Sequence, residues 1–153
     1  DRIMRLVRNY DGIWLPDTGR NLNDTLSRAF MMANQENYSS LYLPGDLPFI
    51  KPSDVINLMR SSRNGNNITL APARSDGGTN SILVPQGIHF QPELGQRSFA
   101  KHLAKAAKME ISVAICYSSG LGFDLDTVDD LEKYEHMEPG LLNRLVPTWD
   151  SQH

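Results

Sequence analysis

The chain has 153 residues, about the length of one domain. Its hydrophobic fraction of 40% and charged fraction of 22% are ordinary for a globular domain. The formal net charge of -3 argues against a nucleic-acid partner, because nucleic-acid modules usually carry a basic face. No apolar run approaches the roughly 20 residues of a membrane span. We therefore expect no membrane partner and a cytoplasmic location.

Helical and strand-like segments alternate along the chain at the spacing of βαβ units. In chain order the predicted segments are the end of a helix at 1–8, a helix at 23–35, a strand at 41–43, a helix after Pro52, strands at 68–73 and 81–85, a helix at 98–109, a strand at 110–117 and an acidic helix at 128–137. This order predicts an α/β fold of three layers with a mostly parallel sheet. Asn21 or Asn23, Ser53 and Ser98 are candidate helix caps.

Three carboxylates follow predicted strands or precede helices, and they are Asp46, Asp124 and Asp126. Asp124 and Asp126 are two residues apart in an extended stretch, so their side chains point to the same face. Oxygen ligands without nearby His or Cys suit a hard cation such as magnesium. The alternative is that Asp124 and Asp126 only cap the next helix or face solvent.

Two loops are candidates for binding an anion. In the loop 76–80, two glycines allow close backbone approach, and consecutive amides form an anion nest; a simple hairpin turn is the alternative. In the segment 95–98, a glycine, a hydroxyl and a helix start come together; a helix capped by Ser98 is the alternative. His102 lies one turn further on and either faces the same anion or has a surface or capping role. The single cysteine, Cys116, lies in a predicted strand and is expected to be a buried, inert thiol.

Taken together, four segments resemble the 2-phospho-L-lactate guanylyltransferase family. The segments are Leu43–Pro48, Asp76–Asn80, Gly95–His102 and Phe123–Thr127, matched in order over about residues 12–131. The resemblance implies the Rossmann-like fold of nucleotide-diphospho-sugar transferases. It also implies transfer of GMP from GTP to 2-phospho-L-lactate or phosphoenolpyruvate, with release of pyrophosphate, in the biosynthesis of the deazaflavin coenzyme F-420.

The resemblance also implies roles for individual residues. Asp46, Asp124 and Asp126 would hold magnesium as the catalytic acids. The phospho-acid would be bound by Thr79, Gly95 and Ser98. Nucleotide contacts are assigned to Asn23, Gly78 and Asn80. The expected ligands are therefore GTP, magnesium and a small phospho-acid.

The family pattern begins with a further strand and a basic loop, which this sequence does not match. We therefore expect residues 1–153 to be a single domain that forms the C-terminal two thirds or more of a longer nucleotidyltransferase domain. Two alternatives stay open: a nucleotidyltransferase for a sugar phosphate or molybdopterin, and a non-catalytic fragment. The apolar tail from Leu141 to Val146 either packs internally or contributes to a homodimer.

Overall fold

The computed structural model describes residues 2–16 and 20–145. Its helices are α1 (Arg2–Asn9), α2 (Leu22–Gln35), α3 (Pro52–Ser61), α4 (Ser98–Lys108), α5 (Ser119–Gly122), α6 (Val128–Met137) and α7 (Leu141–Leu145). Its strands are β1 (Ser40–Tyr42), β2 (Ile68–Pro72), β3 (Thr79–Val84) and β4 (Val113–Ile115). The α/β class is confirmed. Asp1 of the predicted helix end and Val146 of the apolar tail lie outside the described residues.

The four described strands form one mixed sheet in the order β1-β3-β2-β4. β3 is antiparallel to both β1 and β2, whereas β2 and β4 are parallel. Three of these four strands therefore run in one direction, and β3 opposes them between β1 and β2. The reversal follows from the short 73–78 connection, because parallel neighbours need a longer crossover. The hairpin alternative for the glycine pair is thus the observed structure, and Ala73 N donates to Gly78 O at its base.

Helices cover both faces of the sheet, which gives the predicted three layers. On one face, α2 and α4 pack against Ile68, Leu70, Ile82 and Val84. On the other face, α3 and α5 pack against Ala71 and Leu83. This division follows the alternation of side chains along each strand. Cys116 is buried in the second cluster, as predicted, and burial raises the pKa of its thiol.

Two of the predicted helix caps are wrong. In α3 the N-cap is Lys51, whose amide donates to the Asp54 carboxylate, so Ser53 is not the cap. In α4 the N-cap position is Arg97, in a left-handed conformation, and it makes no side-chain cap bond. Ser98 is instead the first helical residue. At α2, Asn21 is the cap, because its side chain accepts from the Asp24 amide at 3.0 Å.

Candidate functional site

Asp46 lies beside the segment that carries the other two predicted acids. Leu125 N donates a 2.9 Å hydrogen bond to Asp46 O, which places residues 124–126 against the turn that follows β1. Asp46 and Asp126 are exposed, and Asp124 is partly buried. The structure therefore brings the three acids to the same end of the sheet, as the carboxyl-end rule for α/β sheets predicts.

An aromatic cluster holds the 123–127 segment in place. The rings of Phe49, Phe123 and Tyr134 meet edge to face, with centroids 5.3–5.9 Å apart. The Tyr134 hydroxyl also donates to Asp124 O at 2.9 Å. At the end of this segment, Thr127 forms a capping box with Asp130 that starts α6. The backbone around Asp124 is therefore fixed from both sides.

Asp124 has an electrostatically unfavourable position. Its pKa is raised mainly by burial and further by the negative charges of Asp126 and Asp76. The nearby Asn80 side chain offsets a small part of this rise. Asp76 was not predicted to belong with these acids, and its own side chain accepts a 2.7 Å hydrogen bond from Gly78 N. The only sequence signal for Asp76 was its position as the first residue of the candidate anion-binding loop 76–80.

These carboxylates have the chemistry that a hard cation requires, although their side chains are not arranged as ligands. Among the described residues, no group of three or more His, Cys, Asp or Glu side chains is close enough to hold a metal ion. The oxygen donors and the crowding of Asp124 by two acids nevertheless suit a magnesium ion. The assignment of magnesium to Asp46, Asp124 and Asp126 therefore stays a prediction.

A cleft of about 410 Å³ lies next to these acids and contains most of the predicted substrate and nucleotide residues. It is lined by Leu22, Tyr42, Asp76, Gly78, Thr79, Asn80, Leu94, Gly95, Gln96 and Ser98. Thr79 and Asn80 come from the start of β3, whereas Gly95 and Ser98 belong to the approach to α4. The Phe99 amide donates to Gly77 O at 3.2 Å and joins the two loops. The structure thus assembles both anion-binding candidates into one concave surface.

One polar group of this cleft, Ser98 Oγ, is buried and lacks a hydrogen-bond partner within the described part of the chain. Asn80 Nδ2 is also buried without a well-formed hydrogen bond, but the Asn80 side chain lies close enough to the Asp124 carboxylate to lower its pKa. An unsatisfied buried polar group costs about 1–3 kcal/mol. Such a cost is offset when a ligand supplies the missing partner. Ser98 Oγ therefore favours a polar ligand in the cleft.

A slightly larger groove of about 480 Å³ lies between α2 and the segment 84–91, and its lining includes Phe30, Met31 and His89. It contains none of the predicted site residues. Its walls are mainly apolar, and no group of acids faces it. The smaller cleft, where the polar groups converge, is therefore the candidate site.

His102 occupies neither of its predicted positions. It is fully buried behind the cleft, where Nδ1 lies 3.0 Å from Thr79 Oγ1 and Nε2 accepts from Glu93 N at 2.8 Å. Burial, and next the charge of Lys105, lower its pKa to about 4. His102 is therefore not exposed and does not line the cleft, and the predicted surface or capping role is wrong. Inside the core, it joins Thr79 to the backbone of Glu93 through hydrogen bonds.

Both polar atoms of the Asn23 side chain bond to the backbone of Leu94. Its Nδ2 donates to Leu94 O at 3.0 Å, and its Oδ1 accepts from Leu94 N at 2.7 Å. This pairing holds the loop just before Gly95, which has a φ of +121°. A nucleotide contact by Asn23 stays a prediction, whereas the observed contacts are with the Leu94 backbone beside the cleft.

The fold is similar to that of a solved nucleotide-diphospho-sugar transferase. A solved chain from Desulfovibrio desulfuricans G20, described as such a transferase, superimposes with a TM-score of 0.70 at 16% identity. The match covers 94% of this chain and 64% of that one. The likeness defines the fold. The sequence defines the family: residues 4–137 match the family described as guanylyl transferase CofC like, and the chain belongs to it.

Several curated relatives share a large part of this sequence. A phosphoenolpyruvate guanylyltransferase from Rubrobacter xylanophilus is 33% identical over 79% of this chain and 60% of its own length. A 2-phospho-L-lactate guanylyltransferase from Methanosphaera stadtmanae is 30% identical over 72% of this chain and 47% of its own length. A 3-phospho-D-glycerate guanylyltransferase from Phenylobacterium zucineum is 36% identical over 58% of this chain and 40% of its own length. The chain thus matches about 40–60% of the length of these three relatives.

Within the described residues, none of the helices is long and apolar enough to cross a membrane.

Proposed function

We propose that this chain carries the acid-binding side of a guanylyltransferase that joins GMP from GTP to a small phospho-acid and releases pyrophosphate. The observation that carries the proposal is the cleft in which Thr79, Asn80 and Ser98 converge next to Asp124. The relatives carry the names of guanylyltransferases for phosphoenolpyruvate, 2-phospho-L-lactate and 3-phospho-D-glycerate. We further propose 2-phospho-L-lactate or phosphoenolpyruvate as the acid, coenzyme F-420 biosynthesis as the pathway and the cytoplasm as the location.

The proposed reaction needs no protein nucleophile. A phosphate monoester is largely dianionic near neutral pH, since its second pKa is about 6. One of its oxygens attacks the α-phosphorus of GTP, a new P–O–P linkage forms, and the bond to the β-phosphate breaks as pyrophosphate leaves. No proton has to be removed from the attacking oxygen. The protein therefore has to position the two substrates and stabilise negative charge.

The residues of the cleft suit these two tasks. The hydroxyls of Thr79 and Ser98 would donate to the phospho-acid, and the loop at Gly95 allows close backbone approach. The amide of Asn80, together with Gly78, would lie towards the nucleotide. Asp46, Asp124 and Asp126 would hold magnesium, which when bound neutralises charge on the phosphates.

The test is magnesium-dependent release of pyrophosphate by the protein expressed from its complete reading frame. GTP and other nucleotides are combined with the three phospho-acids and with sugar phosphates. We expect release with GTP and a phospho-acid, reduced at least about 100-fold in Asp124→Asn. The control is Asp129→Asn, which removes one exposed acid from the start of α6 and should retain activity.

Activity only with a sugar phosphate would support the alternative nucleotidyltransferase. No release with any nucleotide and acceptor would support the non-catalytic alternative. Either result would overturn the proposed reaction.

A further inference from the structure

The environment of His102 determines which of its ring nitrogens carries the proton. Glu93 N lies 2.8 Å from Nε2, and a backbone amide can only donate. Nε2 must therefore be the unprotonated acceptor. In the neutral ring Nδ1 then carries the hydrogen and donates it to Thr79 Oγ1 at 3.0 Å.

This arrangement leaves the hydroxyl proton of Thr79 available for a ligand. Thr79 Oγ1 accepts from His102, so its own O–H is directed elsewhere. Thr79 lines the 410 Å³ cleft together with Gly95 and Ser98. A ligand acceptor, such as a phosphate or carboxylate oxygen, would complete the bonding of that hydroxyl.

The same ring also holds the opposite wall of the cleft. The Glu93 amide that it fixes is two residues before Gly95. Lys105, on the same helix, reinforces this wall by donating to Gln91 O at 2.8 Å and to the Glu93 carboxylate at 2.7 Å. Helix α4 therefore connects β3 with the loop that precedes its own first turn.

We infer that His102 is a positioning residue for the phospho-acid: it orients the Thr79 hydroxyl as a donor into the cleft and fixes the Glu93–Gly95 loop opposite. The inference rests on the proposed function, because it assigns the acid to this cleft. A protonated ring would place a second donor against the Glu93 amide and break the link. The low pKa of His102, about 4, is consistent with a ring that stays neutral around neutral pH.

The first experiment compares His102→Gln with Thr79→Val and with the double variant. In His102→Gln, the amide oxygen can still accept from the Glu93 amide, whereas Thr79 loses its donor. We expect the KM for the phospho-acid to rise about tenfold in each single variant, with the KM for GTP unchanged, because each variant weakens or removes the Thr79 hydrogen bond to a charged ligand; tenfold corresponds to about 1.4 kcal/mol. If His102 acts through Thr79, the double variant is no worse than Thr79→Val.

The matched control is His89→Gln, which changes an exposed histidine outside the cleft. Its KM values should equal those of the wild-type protein. Thr79→Val removes the same His102–Thr79 hydrogen bond by changing the residue on β3, so the inference can still be tested if His102→Gln does not fold. Equal rises in both KM values, or additive effects in the double variant, would overturn the inference.

The second experiment needs no turnover. Nitrogen chemical shifts of the His102 ring, measured by NMR at pH 7, should show a protonated Nδ1 and a bare Nε2. The opposite tautomer, or a charged ring, would overturn the inference and leave the proposed reaction intact. Pyrophosphate release by the wild-type protein is measured in parallel. If the wild type shows none, the proposed function fails as well, whereas unchanged acid KM in the variants refutes the positioning role alone.

Discussion

Leu125 N donates a 2.9 Å hydrogen bond to Asp46 O, and this bond joins two segments that are almost 80 positions apart in the chain. It brings the turn after β1 next to the stretch that carries Asp124 and Asp126. The bond uses only backbone atoms, so the carboxylates of Asp46, Asp124 and Asp126 remain available for a ligand. The site therefore depends on a main-chain contact that substitution of the acids would not disrupt.

The first prediction follows from the position of Asp124. Burial and the charges of Asp126 and Asp76 raise its pKa, so the carboxylate is less favourable in the folded chain than in water. Asp124→Asn, which should reduce turnover at least about 100-fold, should therefore increase the free energy of unfolding, on the order of 0.5 kcal/mol because the group is partly screened by solvent. Urea denaturation at pH 7 measures this. A clear loss of stability would show that Asp124 has a structural role.

Local sequence pattern was sufficient for the longer elements, but it did not predict the short helices α5 and α7, and the strand predicted at 110–117 is only Val113–Ile115. The helix predicted at 23–35 is α2 at Leu22–Gln35, and the strand predicted at 68–73 is β2 at Ile68–Pro72. Both have regular apolar spacing and a turn or cap at their start. The direction of β3, in contrast, depended on the glycine pair at 77–78, which suits both a ligand loop and a hairpin.

The contacts that hold the site could not be predicted in this way. His102 bonds to Thr79, which is 23 positions away, and Asn23 bonds to Leu94, which is 71 positions away. Periodicity and propensity describe neighbours in the chain and carry no information on such pairs. The sequence did identify Thr79, Gly95 and Ser98 as a group, but only through the family resemblance.

Gly95 provides a second prediction. Its φ of +121° is a conformation that side chains rarely adopt, although no heavy atom lies within 4 Å of an added Cβ. Gly95→Ala should therefore cost about 1–3 kcal/mol through the backbone alone. It should also raise the KM for the phospho-acid, because the loop would shift. Kinetics and urea denaturation of the same preparation give both values.

The control for Gly95→Ala is Gly87→Ala. Gly87 has a φ of +79° and also has open space around it, but it lies outside the cleft. It should show a loss of stability of the same kind without a change in KM. If Gly87→Ala weakens acid binding equally, general destabilisation explains the effect and the loop does not.

A third prediction concerns pH. The folded-state pKa of His102, about 4, is below the unfolded value of about 6.5. The unfolded chain therefore takes up a proton first, and the contribution of His102 to stability is present above pH 6.5 and is lost as the pH falls towards 4. The stability difference between wild type and His102→Gln should narrow by about 2 kcal/mol between pH 7 and 4.5.

Urea denaturation of both proteins at several pH values tests this, and other titrating groups largely cancel in the difference. The charged neighbours of His102 are Glu93, Lys101 and Lys105, and all three are present in both proteins. If the difference in free energy of unfolding between the two proteins stays constant with pH, the His102 ring has the same pKa in the folded and unfolded states and the prediction is wrong.

Asn23 provides the last prediction, and it separates two roles for one residue. The resemblance assigns Asn23 to the nucleotide, whereas its amide group is bonded to both polar atoms of the Leu94 backbone. If the loop contact is its function, Asn23→Leu should raise the KM for the phospho-acid and leave that for GTP unchanged. Asn23→Asp keeps the acceptor for Leu94 N, so its KM for the phospho-acid should lie between those of the wild type and Asn23→Leu.

Amide hydrogen exchange at Leu94 should be slowest in the wild type, faster in Asn23→Asp and fastest in Asn23→Leu, since the first variant removes one bond to the loop and the second removes both. A selective rise in the KM for GTP, with slow exchange at Leu94, would instead assign Asn23 to the nucleotide.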